Sequence, residues 1–163
     1  MRPWSSESEA GDEAGIIVGG LGEEGHAYVM DDRSLRGSPL AWAQAAVTAY
    51  HEFRADGIVY ETTMVQTDRG GNVVQDTISA VDPDKQIRWI PVHASRDKTV
   101  RAEPVAALYE QGRVHHVGAL EVLEDEMVSW EPSSRTSPNR LDALVWLVTA
   151  LLIRDKRAPI AFI

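Results

Sequence analysis

The chain has 163 residues, a formal net charge of −9 at pH 7 and no cysteine. A chain of this length can form one domain with a hydrophobic core, and the absence of cysteine excludes a disulfide framework and a thiolate metal site. No Gly-rich phosphate loop ending in Lys-Ser or Lys-Thr occurs, so we expect no ATPase site in this chain. The apolar run 141–153 is too short to span a bilayer, and we expect no membrane partner.

Apolar patterning predicts strands that alternate with helices, which indicates an α/β domain with a mixed sheet. We interpret 1–14 as a flexible acidic lead, 15–155 as the folded domain and 156–163 as a C-terminal tail. The predicted strands are 15–19 and 26–31, which form a hairpin, then 57–61 and 86–92, which run parallel to each other, and an extended piece at 114–117. The predicted helices are 40–54, 72–81, 99–112 (with an alternative start near Glu103, because Pro104 follows), 119–130 and 138–153.

The last of these helices is the most apolar segment of the chain. Ser137 is a good N-cap, and Pro138 suits the first helical position because its missing N–H would have no partner there. Asp142 is a charged residue that interrupts this apolar pattern. A buried carboxylate is costly unless it is paired, hydrogen-bonded or bound to a metal. The alternative is that Asp142 only interacts with the positive end of the helix dipole.

Glu61 ends a strand whose other members are apolar, and functional groups gather at the carboxyl ends of strands in open α/β sheets. An acid on a strand end and an acid at a helix start can converge on one metal pair. Carboxylate oxygens favour Mg²⁺ or Mn²⁺, and two such ions support in-line phosphoryl displacement. This chemistry usually needs more than two carboxylates, and Asp12 is a further candidate. The alternatives are that Glu61 faces solvent and that Asp12 belongs only to the acidic lead.

Positive charge is concentrated in residues 85–118, which hold six Lys or Arg against three acids. The run 95–101 opens a helix there, and Lys98 and Arg101 are suited to hold a phosphate beside the helix N-terminus. A solvated loop and helix start explain the same spacing equally well. The five histidines show no ligand-like spacing, since the adjacent His115 and His116 face opposite ways in a strand.

Many segments, in the right order, resemble the nuclease domain of tailed-phage terminase large subunits. The two longest matching runs are 98–114, which begins Lys-x-x-Arg-Ala-Glu-Pro, and 137–146, which begins Ser-Pro-x-Arg-Leu-Asp-Ala. The resemblance implies a ribonuclease H-like fold and a two-metal endonuclease that cuts concatemeric viral DNA during packaging. The other matching segments are 12–18, 25–29, 116–118, 123–127 and 130–132.

The resemblance also implies roles for particular residues. The family's acid at the end of a later strand corresponds to Glu61, and its acid near the start of the last helix corresponds to Asp142. Lys98 and Arg101 match a basic pattern that meets DNA phosphates. The implied partners are double-stranded DNA and, in a full-length protein, an ATPase domain, a portal and a small terminase subunit. The implied location is the cytoplasm of the bacterial host.

The sequence departs from the family pattern near its start and after Glu61. The family has an apolar strand ending in Asp-Pro before the acidic loop, whereas here Arg2 precedes Pro3. We therefore expect the first central strand to be missing, with a gap in the sheet, a substitute segment or partner pairing at that edge. The loop between Glu61 and Gly70 is also longer than the family pattern.

Three hypotheses follow from the resemblance and these departures. The first is a metal-dependent endonuclease domain from the terminase large subunit of a phage or prophage. The second is a truncated, catalytically impaired remnant, or a module of the same fold that binds DNA or protein. The third is a different nuclease or resolvase of this fold, which the number of matching segments disfavours.

Overall fold

The computed structural model describes residues 13–62, 73–82, 84, 87–93, 97–134 and 138–153. Residues 1–12 of the predicted acidic lead 1–14, the tail 156–163 and the predicted cap Ser137 lie outside these ranges, whereas the last two residues of the lead, 13 and 14, form a short strand instead of a flexible segment. Within them, no helix is long and apolar enough to cross a membrane. The strands are β1 (Glu13–Ala14), β2 (Ile17–Leu21), β3 (Ala27–Asp32), β4 (Leu35–Arg36), β5 (Ile58–Thr62), β6 (Trp89–His93) and β7 (Val114–His116). The helices are α1 (Pro39–Glu52), α2 (Val73–Val81), α3 (Lys98–Glu110), α4 (Glu121–Ser129) and α5 (Asn139–Val148), which continues into a π-helical turn, Thr149–Ile153.

Strand pairing confirms three predictions made from the sequence: the mixed α/β architecture, the opening hairpin and the parallel pairing of the strands predicted at 57–61 and 86–92. β2 and β3 pair antiparallel, and β7 adds to β3 in parallel. β5 and β6 form a separate parallel pair. The two short strands β1 and β4, which the sequence patterns did not predict, pair antiparallel with each other.

Among the described residues a gap separates β2 from β5, which is one of the three outcomes expected at this edge of the sheet. Each of these strands pairs along one edge, β2 with β3 and β5 with β6, and no strand of the described residues pairs with the other edge. A cavity of about 340 Å³ lies here, lined by Ile17 of β2 and by Ile58 and Tyr60 of β5. Because unpaired strand edges present free N–H and C=O groups, the gap has the features of a place for a further strand.

α5 lies at the centre of the larger of two hydrophobic clusters, as its composition predicts. Its residues Leu144 and Val148 are buried together with Ile17 of β2, Val29 of β3 and Leu123 of α4. Full burial of a Val or Leu side chain contributes about 1.5–3 kcal/mol, so these contacts fix the position of the helix. The second cluster joins α1 to β5.

Two glycines at the start of the hairpin allow α5 to approach the sheet closely. A Cβ atom at Gly19 would meet both Leu147 Cδ2 and the Tyr28 carbonyl at 2.7 Å, and one at Gly15 would overlap the backbone of Asn139. Because Asn139 begins α5, the absence of a side chain at Gly15 sets how near the first turn of the helix lies to the sheet.

Two helix starts differ from the sequence-based expectations. α3 begins at Lys98 and runs through Pro104, so the alternative start near Glu103 is wrong. Pro104 is exposed, and its missing N–H removes only one backbone hydrogen bond from the helix. α5 begins at Asn139, and Pro138 precedes the helix in an extended conformation with ψ of 137° instead of occupying its first position.

Candidate active site

Glu61 lies near the carboxyl end of β5, one residue before the strand ends, and it is exposed. Its Oε2 atom accepts a hydrogen bond from the indole Nε1 of Trp146 at 3.2 Å. The donor belongs to α5, which lies 85 residues further along the chain. This contact ties the carboxyl end of the parallel pair to the helix that carries Asp142.

Asp142 lies in the first turn of α5, and 26% of its side chain is exposed. Its Oδ2 atom accepts a hydrogen bond from Lys98 Nζ at 2.7 Å. The carboxylate that interrupts the apolar pattern is therefore paired with a cation, as the cost of burying a charge requires. Because Lys98 is the first residue of α3, the ion pair joins the N-terminal turns of two helices.

Glu61 and Asp142 line the same cavity, the one between β2 and β5. Trp146 also lines it and lies one helical turn after Asp142, so the two side chains share one side of α5. The structure therefore brings together the two acids that the sequence singled out, although they come from a strand and a helix far apart in the chain.

Arg101 lies one turn after Lys98 on α3 and faces the same region. Its guanidinium carbon is 4.5 Å from the centroid of the Trp146 ring, which is a cation–π contact. Its Nε atom is buried and has no hydrogen-bond partner among the described residues. Each predicted basic residue is thus linked to one predicted acid: Lys98 directly to Asp142, and Arg101 through Trp146 to Glu61.

The family model of the terminase RNaseH-like domain matches residues 5–151. The chain belongs to this family. Membership confirms the resemblance found in the sequence and, with the mixed sheets, the ribonuclease H-like fold. No curated protein matches the chain.

In this terminase RNaseH-like domain, Arg140 fixes the first turn of α5, a role that sequence reasoning missed. The Arg140 guanidinium is ion-paired with Glu13, with Asp32 at 3.0 Å and with Glu126 at 3.1 Å. Glu126 also accepts a hydrogen bond from the backbone N–H of Leu141 at 3.2 Å, which satisfies one of the free donors at the helix N-terminus. The three carboxylates come from β1, β3 and α4, so the first turn of α5 is tied to three other elements.

A chain of hydrogen bonds holds the C-terminal end of α3 in the terminase domain. The Tyr109 hydroxyl and His116 Nε2 are 2.8 Å apart, and His116 Nδ1 lies 2.9 Å from Glu124 Oε1. The hydrogen bond from His116 lowers the pKa of Glu124, and burial raises the pKa of Tyr109. His115 stacks on His26 instead, so the two adjacent histidines occupy opposite faces as predicted.

The side chains around the cavity fit a divalent cation but supply only part of the ligands for two. The carboxylates of Glu61 and Asp142 offer the hard oxygen atoms that Mg²⁺ and Mn²⁺ prefer as ligands. Asp142 is already ion-paired with one cation, the Lys98 ammonium. Within the described ranges, no group of three or more His, Cys, Asp or Glu residues could hold a metal ion. The third candidate ligand, Asp12, lies outside those ranges.

Proposed function

We propose that this chain is the endonuclease domain of a phage or prophage terminase large subunit and cuts concatemeric double-stranded DNA during genome packaging. The observation that carries the proposal is that Glu61 and Asp142 line one cavity in a terminase RNaseH-like domain. The proposed partners of the domain are an ATPase domain, a portal and a small terminase subunit. In this proposal the domain acts in the cytoplasm of the bacterial host.

The proposed reaction is metal-dependent hydrolysis of a phosphodiester. Bound Mg²⁺ or Mn²⁺ ions, two in this proposal, would supply the Lewis acidity that activates a water molecule and offsets the negative charge of the reacting phosphodiester. Glu61 on β5 and Asp142 on α5 would hold the ions, with Asp12 as a proposed additional ligand. Trp146 orients the Glu61 carboxylate through its indole hydrogen bond.

Lys98 and Arg101 supply the positive charge that a DNA phosphate needs beside these acids. Lys98 is half exposed and Arg101 is partly buried against Trp146. The N-terminus of α3, which Lys98 begins, adds backbone N–H groups that favour an anion.

A second candidate function is a catalytically impaired remnant that keeps the fold and binds DNA or protein. It is favoured because the described residues that line the cavity include two acids, Glu61 and Asp142, where two-metal chemistry needs more. The DNA upstream of the Met1 codon separates the two functions. An in-frame apolar strand ending in Asp, and further upstream a phosphate-binding ATPase motif, favours the endonuclease, whereas a stop codon there favours the remnant.

We expect weak, sequence-independent binding of duplex DNA that is centred on Lys98 and Arg101. Replacing both with Ala should remove about two phosphate contacts, so the negative slope of log affinity against log salt should become shallower by about 1.8. Fluorescence anisotropy of a labelled duplex between about 50 and about 200 mM salt measures this slope. The matched control replaces Arg36 and Arg88, which are both exposed, and should change the slope less. Binding that is insensitive to salt, or unchanged in the Lys98 and Arg101 variant, contradicts the assignment.

A further inference from the structure

Lys98 is paired with an acid that the proposed function assigns to a metal ion. Lys98 Nζ lies 2.7 Å from Asp142 Oδ2, the distance of a charge-assisted hydrogen bond. The two side chains are 50% and 26% exposed, so the pair lies at the solvent side of the cavity and not in the core. An ion pair with this exposure is weak and exchangeable, because water screens its charges.

Arg101 is held in a different way from Lys98. Its guanidinium lies on the Trp146 ring and its Nε atom is buried, while the indole donates to Glu61. The Arg101 guanidinium itself contacts Trp146 and not the Glu61 carboxylate, whose Oε2 atom accepts from the indole. Of the two basic residues, Lys98 is therefore the one that forms a direct ion pair with a candidate cation ligand, Asp142.

We propose that Lys98 is a displaceable counter-ion of Asp142, and that a divalent cation bound by Asp142 releases the Lys98 ammonium to contact a DNA phosphate. The inference rests on the proposed function and adds a coupling between cation binding and DNA binding. Its physical basis is that the ammonium lowers the affinity of the carboxylate for a second cation, since the two positive charges repel each other. By linkage, a bound cation weakens the ion pair by the same factor. Lys98 thus links the occupancy of the cation site to the binding of a DNA phosphate.

Titration with Mn²⁺, followed by the electron paramagnetic resonance signal of the free ion, tests the coupling without any cleavage reaction. Lys98→Gln removes the charge and should bind Mn²⁺ about two- to fivefold more tightly, the effect expected for the loss of one partly exposed ion pair. Lys98→Arg keeps the charge and should retain wild-type affinity. Arg88→Gln is the matched control, because Arg88 is exposed at the opposite, amino end of the β5–β6 pair, where its carbonyl accepts from Ile58.

An Mn²⁺ affinity that is unchanged or weaker in Lys98→Gln overturns the inference, and so does an equal increase in Arg88→Gln. Asp142→Asn separates this failure from failure of the proposed function. If Asp142→Asn loses Mn²⁺ binding while Lys98→Gln leaves it unchanged, the result supports the metal site at Asp142 and contradicts the counter-ion role of Lys98. If Asp142→Asn binds Mn²⁺ as tightly as the wild type, the result contradicts both the metal site at Asp142 and the counter-ion role of Lys98. Circular-dichroism melting of each variant confirms that the compared proteins are folded.

Discussion

A chain with an apolar strand ending in Asp added ahead of the acidic lead should cut supercoiled plasmid DNA on the order of 100-fold faster in Mn²⁺ than the 163-residue chain. The edges of β2 and β5 that pair with no other described strand, and the cavity lined by both strands, provide a place for it. Its Asp would add a third carboxylate to Glu61 and Asp142. Loss of a partner that only orients a ligand costs roughly 10–100-fold in metal affinity or activity, and loss of a ligand should cost at least as much.

The same added strand ending in Asn is the matched control for this gain. It can pair with both free edges and fill the cavity, so we expect it to raise the melting temperature as much as the Asp version does. It should leave cleavage at the level of the unmodified chain, because an amide is a poorer ligand for a hard divalent cation than a carboxylate. Equal cleavage by the two versions would show that the gain comes from folding and not from a third ligand. No gain with either version would contradict the idea of a missing ligand.

Asp142→Asn in the strand-bearing chain should return Mn²⁺-dependent cleavage to background, a loss of roughly 100-fold or more. Asn keeps the size of the side chain in the first turn of α5 but removes the negative charge that holds the cation. The fold should survive, since the ion pair with Lys98 is partly exposed and such pairs contribute little to stability. The rate of plasmid nicking and the melting temperature measure the two effects separately.

Asp125→Asn serves as the control for loss of one carboxylate, because Asp125 is exposed on α4 and does not line the cavity. Its cleavage rate should stay within about twofold of the parent, as expected for a surface substitution with an effect below about 0.5 kcal/mol. Full activity in Asp142→Asn, or equal losses in the two variants, would remove Asp142 from the proposed metal site.

The fold was predictable because its main elements follow local periodicity. The hairpin, the parallel pair and the buried helix α5 each rest on a run of apolar residues with strand or helix spacing. Their ends were less predictable, since they depend on pairing partners and caps. β6, for example, begins at Trp89, where pairing with Ile58 starts, and not at residue 86. The short pair β1–β4 has no periodic signal, because each strand has only two residues.

The two acids were identifiable because each stands in an apolar setting, Glu61 at the end of a strand and Asp142 at the start of a core helix. Their partners were not, because these contacts join residues 85 and 44 positions apart and depend on how α3 and α5 pack. The sequence suggested Lys98 as a phosphate ligand, whereas the structure pairs it with Asp142. One usable signal was overlooked: Trp146 lies four residues after Asp142, with an indole N–H that needs a partner.

Anomalous diffraction from crystals of the strand-bearing chain soaked in Mn²⁺ locates the cation directly. We predict two peaks roughly 4 Å apart in the cavity between β2 and β5, with the carboxylates of both Glu61 and Asp142 in direct contact with Mn²⁺. The Lys98 ammonium should then have moved away from Asp142 Oδ2. Mn²⁺ bound only at other acids, with neither Glu61 nor Asp142 in contact with it, would contradict the proposed metal site.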